Sequence, residues 1–142
     1  MKLSLYTDYS LRVLLYLGVN QGRRATLAEI AECYDISLEH LRKVIHLLGK
    51  LGYIETYRGK GGGFELKADA AQINIGEVIE ATEPRQPVID CRSQPCILVS
   101  SCSLQSALRL AEQAFYDTLK TYSLSDLLKN RRMKDIILLQ SG

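Results

Sequence analysis

The sequence predicts a mainly α-helical chain with one small β-hairpin. Three observations carry that expectation. Apolar residues recur at three- and four-residue spacing through 38–48 and again through 104–119, as one face of a helix requires. Residues 53–66 instead place β-branched and aromatic side chains on either side of a glycine-rich centre, the pattern of two strands and a turn. Ser, Thr or Asn stands ahead of the helical runs, where the free N–H groups of a first turn need acceptors. With 142 residues, 46% apolar and 24% charged, the chain can bury one core and is not globally disordered.

Taken in order, Thr7 and Asp8 offer cap chemistry ahead of Tyr9–Val19, a segment apolar nearly all round and so expected to be buried. Asn20-Gln21-Gly22 closes it. Thr26-Leu27-Ala28-Glu29 is a capping box and opens a helix to about Cys33. A short turn, Tyr34-Asp35-Ile36, leads to Ser37, which caps a longer helix to about Gly49. Leu38, Leu41, Val44, Ile45 and Leu48 form its inner face, and Glu39, His40, Arg42, Lys43 and His46 its outer one. Tyr53–Tyr57 and Phe64–Leu66 are the strands, joined by Arg58-Gly59-Lys60-Gly61-Gly62-Gly63. Asn74-Ile75-Gly76-Glu77 starts a short helix to about Thr82, stopped by Pro84 and Pro87. From Ser103 a long helix carries Leu104, Leu108, Ala111, Phe115, Leu119 and Tyr122 on one stripe. Its breadth calls for a partner surface, so it is expected to be a dimer helix; a helix covered by its own chain is the plainer alternative. Ser123-Leu124-Ser125-Asp126 starts a last short helix, and the apolar run Ile136–Leu139 is expected to dock or swap.

A short helix, a three-residue turn, an amphipathic helix with a basic outer face and then a basic-tipped hairpin is the layout of a winged helix-turn-helix. The net charge of +2 is too small to signal nucleic acid by itself, but residues 37–60 hold five Lys/Arg against two acids, a local basic footprint. Ser37, His40, Arg42, Lys43 and His46 are the expected DNA contacts from the helix, and Arg58 and Lys60 from the wing tip. Winged helices also serve as protein-interaction modules; the basic face favours DNA. The longest apolar run, Val13–Val19, is far short of the roughly 20 residues a membrane span needs. No signal-peptide cleavage pattern follows it, so a cytoplasmic chain is expected.

Three of the four cysteines, Cys91, Cys96 and Cys102, lie in one Pro- and Ser-containing segment with spacing C-x4-C-x5-C. Three thiolates from one loop can hold a soft metal centre. Spacing alone leaves three readings open: an iron–sulfur cluster, a structural zinc site and a thiol redox switch. Zinc fits less well, because it favours tightly paired ligands and four of them. Cys33 reads as a small core residue and Asp8 as a cap or solvated charge. No nucleophile–base pair, nucleotide fingerprint or substrate signature stands out, so an enzyme is not expected.

Tyr6-Thr7-Asp8-Tyr9, the wing Arg58-Gly59-Lys60-x-Gly62-Gly63, Asn74-Ile75-Gly76-Glu77-Val78-Ile79 and three cysteines before a long helix together resemble the IscR/NsrR family of winged-helix regulators. The likeness covers essentially the whole chain. The cysteine spacing is similar to the nitric-oxide-sensing branch. The IscR branch has a longer first spacing and a histidine three residues after the third cysteine, where this chain has Gln105. The resemblance implies a homodimeric repressor with an iron–sulfur cluster, 4Fe-4S for preference and 2Fe-2S otherwise. Cys91, Cys96 and Cys102 would hold it, with Asp8 of the partner subunit completing the ligands and nitric oxide as effector. An iron- or redox-sensing regulator of the same family and a cluster-free thiol switch remain as alternatives. The division expected is a DNA-binding domain over 1–83, a cluster loop over 84–103, and a dimerisation helix and tail over 104–142.

Overall fold

The structure, a computed structural model, describes residues 2–141. It is a winged helix with seven α-helices and one two-stranded antiparallel sheet among the described residues. Helix α1 (Leu5–Val19) runs through the middle, and Val13, Leu14, Tyr16 and Leu17 on it are buried. Around it lie α2 (Leu27–Tyr34), α3 (Leu38–Lys50), the hairpin β1 (Ile54–Tyr57) and β2 (Gly63–Leu66), and α4 (Ile75–Thr82). The long α5 (Ser103–Leu119) leaves this body, and α6 (Leu124–Leu127) and α7 (Arg131–Gln140) return to it.

Local chemistry sets most boundaries. Thr26 accepts from the Glu29 N–H while the Glu29 carboxylate accepts from the Thr26 N–H, closing the expected capping box of α2. Asp35 ends that helix at φ 52°, a left-handed conformation that Asp tolerates better than most residues. Ser37 caps α3 through the His40 N–H. Leu41, Val44, Ile45 and Leu48 are buried as their spacing requires, and the wing pairs Thr56 with Phe64 and Tyr57 with Gly63.

Three boundaries differ from expectation. Helix α1 begins at Leu5, capped by Ser4, so Thr7 and Asp8 lie inside the helix rather than ahead of it. A 3-10 turn over Ala70–Gln72, capped by Asp69, precedes α4. Helix α5 stops at Leu119, short of Tyr122, because tertiary bonds claim the next backbone groups. The Lys120 carbonyl accepts from Asn74 Nδ2 at 2.7 Å and the Tyr122 carbonyl from the Ile75 N–H at 2.9 Å. Gly76 sits under this joint: a Cβ there would lie 2.6 Å from the Lys120 nitrogen.

Helix α5 leans on α4, where Tyr116 and Leu119 reach the core, but none of its residues is buried and Leu110 is 71% exposed. The apolar tail docks on its own chain. Helix α7 packs on α1 and α2 and buries Ile137, while Leu139 stays 83% exposed. No helix among the described residues is long and apolar enough to cross a membrane.

Candidate DNA interface and cluster loop

Two surfaces carry the chemistry. The first is the outer side of α3 with the wing. Ser37, His40, Arg42, Lys43, His46, Arg58 and Lys60 are all exposed. Burial of the apolar stripe fixes which side of α3 faces out, so the basic side chains share one surface. Ser37 spends an acceptor on the His40 N–H at 3.3 Å, which leaves its O–H free to donate. Helix α1 braces α3 from beneath: Tyr6 donates to the Lys43 carbonyl at 3.2 Å, and the Tyr9 and His40 rings are tilted with centroids 6.0 Å apart.

One basic residue of this surface escapes sequence reasoning. The guanidinium of Arg24 lies 3.5 Å over the Tyr57 ring and donates to the Gly61 carbonyl at 3.2 Å. Arg24 belongs to the link between α1 and α2, more than thirty positions from Tyr57 and Gly61. Only the Arg23-Arg24 doublet hints at it, and a doublet does not say which element it meets. The fold brings it there because Ala25 adds a short third lane to the sheet. The Ala25 N–H donates to the Phe64 carbonyl at 2.9 Å, and the Phe64 N–H returns a bond at 2.8 Å.

The second surface is the loop of 84–102. All four cysteines are free. Cys96 is exposed and Cys91 and Cys102 are half-buried. Cys102 caps α5, its sulfur accepting from the Gln105 N–H at 3.4 Å. Cys33 lies on α2, where burial raises its thiol pKa. Among the described residues, no group of three or more His, Cys, Asp or Glu side chains stands together as a metal site. The three loop thiols are thus neighbours in sequence without being gathered into one set of ligands.

The donor chemistry nevertheless suits a soft iron centre. Three uncombined thiols sit on a segment whose hydrogen bonds are local. Asp90 accepts from the Arg92 and Ser93 N–H groups at 3.0 and 3.1 Å, and the Ser101 N–H donates to the Leu98 carbonyl at 2.9 Å. Bringing the sulfurs together would rearrange those turns and leave the packed core intact. Ile97, 97% exposed, and its neighbours Leu98 and Val99 are also left uncovered.

Asp8 lies on α1, the helix that packs on α3 and α4. Arg12 grips it at two points, Nε to Oδ1 and Nη2 to Oδ2, both 3.0 Å. The start of α1 is tied to the root of the loop. Glu83, which ends α4, accepts from the Ser4 N–H at 3.1 and 3.0 Å and from the Ser4 hydroxyl at 3.1 Å. Burial pushes the Glu83 carboxyl up, but bonds from Thr7 and from the Ser4 N–H and hydroxyl outweigh it and hold its pKa below the usual value.

A winged helix with an exposed basic reading helix and a basic wing defines the class, a helix-turn-helix transcriptional regulator. The chain belongs to the Rrf2 family of iron-dependent transcriptional regulators, whose pattern matches residues 3–130. It is 45% identical over 135 residues to the HTH-type transcriptional regulator NsrR of Bacillus subtilis strain 168, covering 92% of each chain. Among solved structures, a putative transcriptional regulator from Listeria innocua superposes with a TM-score of 0.73 at 27% identity, over 92% of this chain and 88% of that one. IscR of T. potens shares the fold with a TM-score of 0.75 at 24% identity, over 92% of this chain and 88% of that one. The matching family and the relatives from Bacillus subtilis and Listeria innocua are transcriptional regulators by name.

Proposed function

We propose that the chain is a homodimeric repressor that binds promoter DNA and leaves it when nitric oxide reacts with an iron–sulfur cluster. Cys91, Cys96 and Cys102 hold the cluster, preferably 4Fe-4S, with Asp8 of the partner subunit as the fourth ligand. When bound, the cluster supplies soft, redox-active iron that thiolates retain and nitric oxide attacks. The observation that carries the reading is three free thiols on an exposed, locally bonded loop, set between the DNA-reading body and a helix without a buried residue. The 45% identity to a regulator named NsrR supports the same branch.

The residues of the chain supply the rest. The open apolar side of α5 gives the dimer its contact. In each protomer α3 offers Ser37, His40, Arg42, Lys43 and His46 to a major groove. Arg58 and Lys60 reach the adjoining minor groove, with half-sites about 34–36 Å apart. Asp8 is the hardest donor of the proposed set and the least suited to soft iron. It also has Arg12 at hand as another partner, which makes it the exchangeable ligand. Because Tyr6 and Tyr9 join its helix to α3, gain or loss of the Asp8 bond bears on where α3 sits.

Protein purified without air and assayed for iron and acid-labile sulfide tests this. Both are expected, with release of bound promoter DNA by nitric oxide ahead of oxygen or chelator. Release by chelator or oxygen alone would favour an iron or redox sensor, and iron-free protein that responds to thiol oxidants would favour a thiol switch. Metal-free protein that binds DNA as tightly as the loaded form and ignores nitric oxide overturns the proposal.

A further inference from the structure

The wing tip, residues 58–62, projects beyond the last paired position, Tyr57 opposite Gly63. A two-stranded hairpin is marginal in water without further support. The third lane through Ala25 ends at Phe64 and does not reach the tip. A glycine-rich tip has much conformational freedom to lose, and any part of it still free before DNA arrives is lost on binding, at a cost in affinity.

Arg24 reaches past the end of the lane. Its stem crosses Gly63, where a Cβ would stand 3.2 Å from the Arg24 Cβ and 2.5 Å from the Ala25 carbonyl oxygen. Glycine, at φ +147°, leaves that crossing open. The guanidinium then lies on the Tyr57 ring and bonds the Gly61 carbonyl. Tyr57 is itself held, its hydroxyl donating to Glu55 at 3.3 Å. Glu55 and Glu65 face each other across the strands, a like-charge pair that costs stability. Tyr57 shares their side of the sheet by strand alternation, so Arg24 brings positive charge to the acidic face. Arg58 and Lys60 stay exposed.

We propose that Arg24 is a positioning residue of the DNA-reading wing: stacked on Tyr57 and bonded to Gly61, it orders the tip that presents Arg58 and Lys60. This rests on the reading of the wing as a DNA contact. The planar fork matters as much as the charge, because one group must stack and donate at once.

The test uses the full chain and the best duplex it recovers from a random-sequence pool. Arg24→Ala is expected to weaken binding about five- to seventyfold, the scale of one exposed cation–π contact plus one hydrogen bond. In an Arg58→Ala/Lys60→Ala background the same change is expected to cost less than about twofold, because Arg24 acts through those side chains. Tyr57→Ala should match Arg24→Ala and add little to it. In the free chain, the Gly61 and Gly62 amides should exchange faster in Arg24→Ala and also in Arg24→Lys, which keeps the charge without the fork. An equal loss in both backgrounds would make Arg24 an independent phosphate contact and overturn the proposal, as would unchanged amide exchange or full affinity in Arg24→Lys. If no duplex is recovered, or if the Arg58/Lys60 pair can be removed without loss, the wing is not the DNA contact and that premise fails first.

Discussion

Asp8 and Arg12 form a two-point ion pair one helical turn apart, with both contacts at 3.0 Å. Their side chains are 39% and 42% exposed, and such a pair contributes only a few tenths of a kcal/mol to the fold. Replacing Asp8 therefore probes ligation with little effect on folding. Asp8→Ala is expected to leave the melting temperature nearly unchanged and to weaken DNA binding of the cluster-loaded protein about 5- to 150-fold, the usual span of allosteric coupling. Cluster-free protein should not respond to the substitution. Electrophoretic or fluorescence titration of both forms measures this, and identical affinity and identical cluster absorbance in variant and parent would sink the Asp8 assignment.

The four cysteines divide into two kinds. Cys33→Ala should retain full iron and sulfide, because that thiol is half-buried on α2 among core residues. Cys91→Ser, Cys96→Ser and Cys102→Ser should each lose the cluster. Cys102→Ser is the most informative, since serine replaces it well as the cap of α5. Its helix content should hold while its iron is lost. Retained iron in any of the three serine variants, measured by metal analysis after gel filtration, counts against the proposed ligand set.

Acid should loosen the join between α1 and α4. The folded pKa of Glu83 lies below its ordinary value of 4.5. A depressed carboxyl stabilises the fold fully above the unfolded value and loses that contribution as pH falls through the folded one. Stability should therefore decline as pH drops below about 4.5. Glu83→Gln should flatten that decline and lower stability near neutrality. Urea unfolding across pH 3 to 7, an interval of about four units around the glutamate range, reads both effects. An acid limb of equal slope in the variant would remove Glu83 from this role.

Gly76 reports on the joint between α4 and the end of α5. An added methyl would meet the Lys120 backbone at 2.6 Å for the nitrogen and 2.8 Å for Cα. Gly76→Ala should cost about 1–3 kcal/mol, the range for overpacking a tight contact, visible as a lower urea midpoint. An unchanged midpoint would mean the joint yields freely.

The elements that sequence resolves best are those governed by near neighbours. The stripe of α3, the box at Thr26, the helix start at Ser123 and the hairpin follow from spacing and capping within a few residues. The misplaced start of α1 has a local cause of another kind. Thr7 and Asp8 look like caps, but Ser4 does the capping while Thr7 is buried and Asp8 pairs forward with Arg12. The end of α5 and the role of Arg24 depend on partners such as Asn74 and Tyr57, far off in sequence, and no local pattern encodes them. At the loop, sequence singles out three thiols, but their spacing says nothing of how the fold arranges them in space.

Helix α1 is made well before α6 and α7, the elements that close its last flank. Gly18 lies beneath Leu124 and Leu128, and Asn20 donates to the Ser141 hydroxyl at 3.1 Å. A nascent chain halted on the ribosome before residue 124 would carry this helix with one flank bare. Full enclosure of α1 thus waits until α6 and the residue that follows α7 have been made.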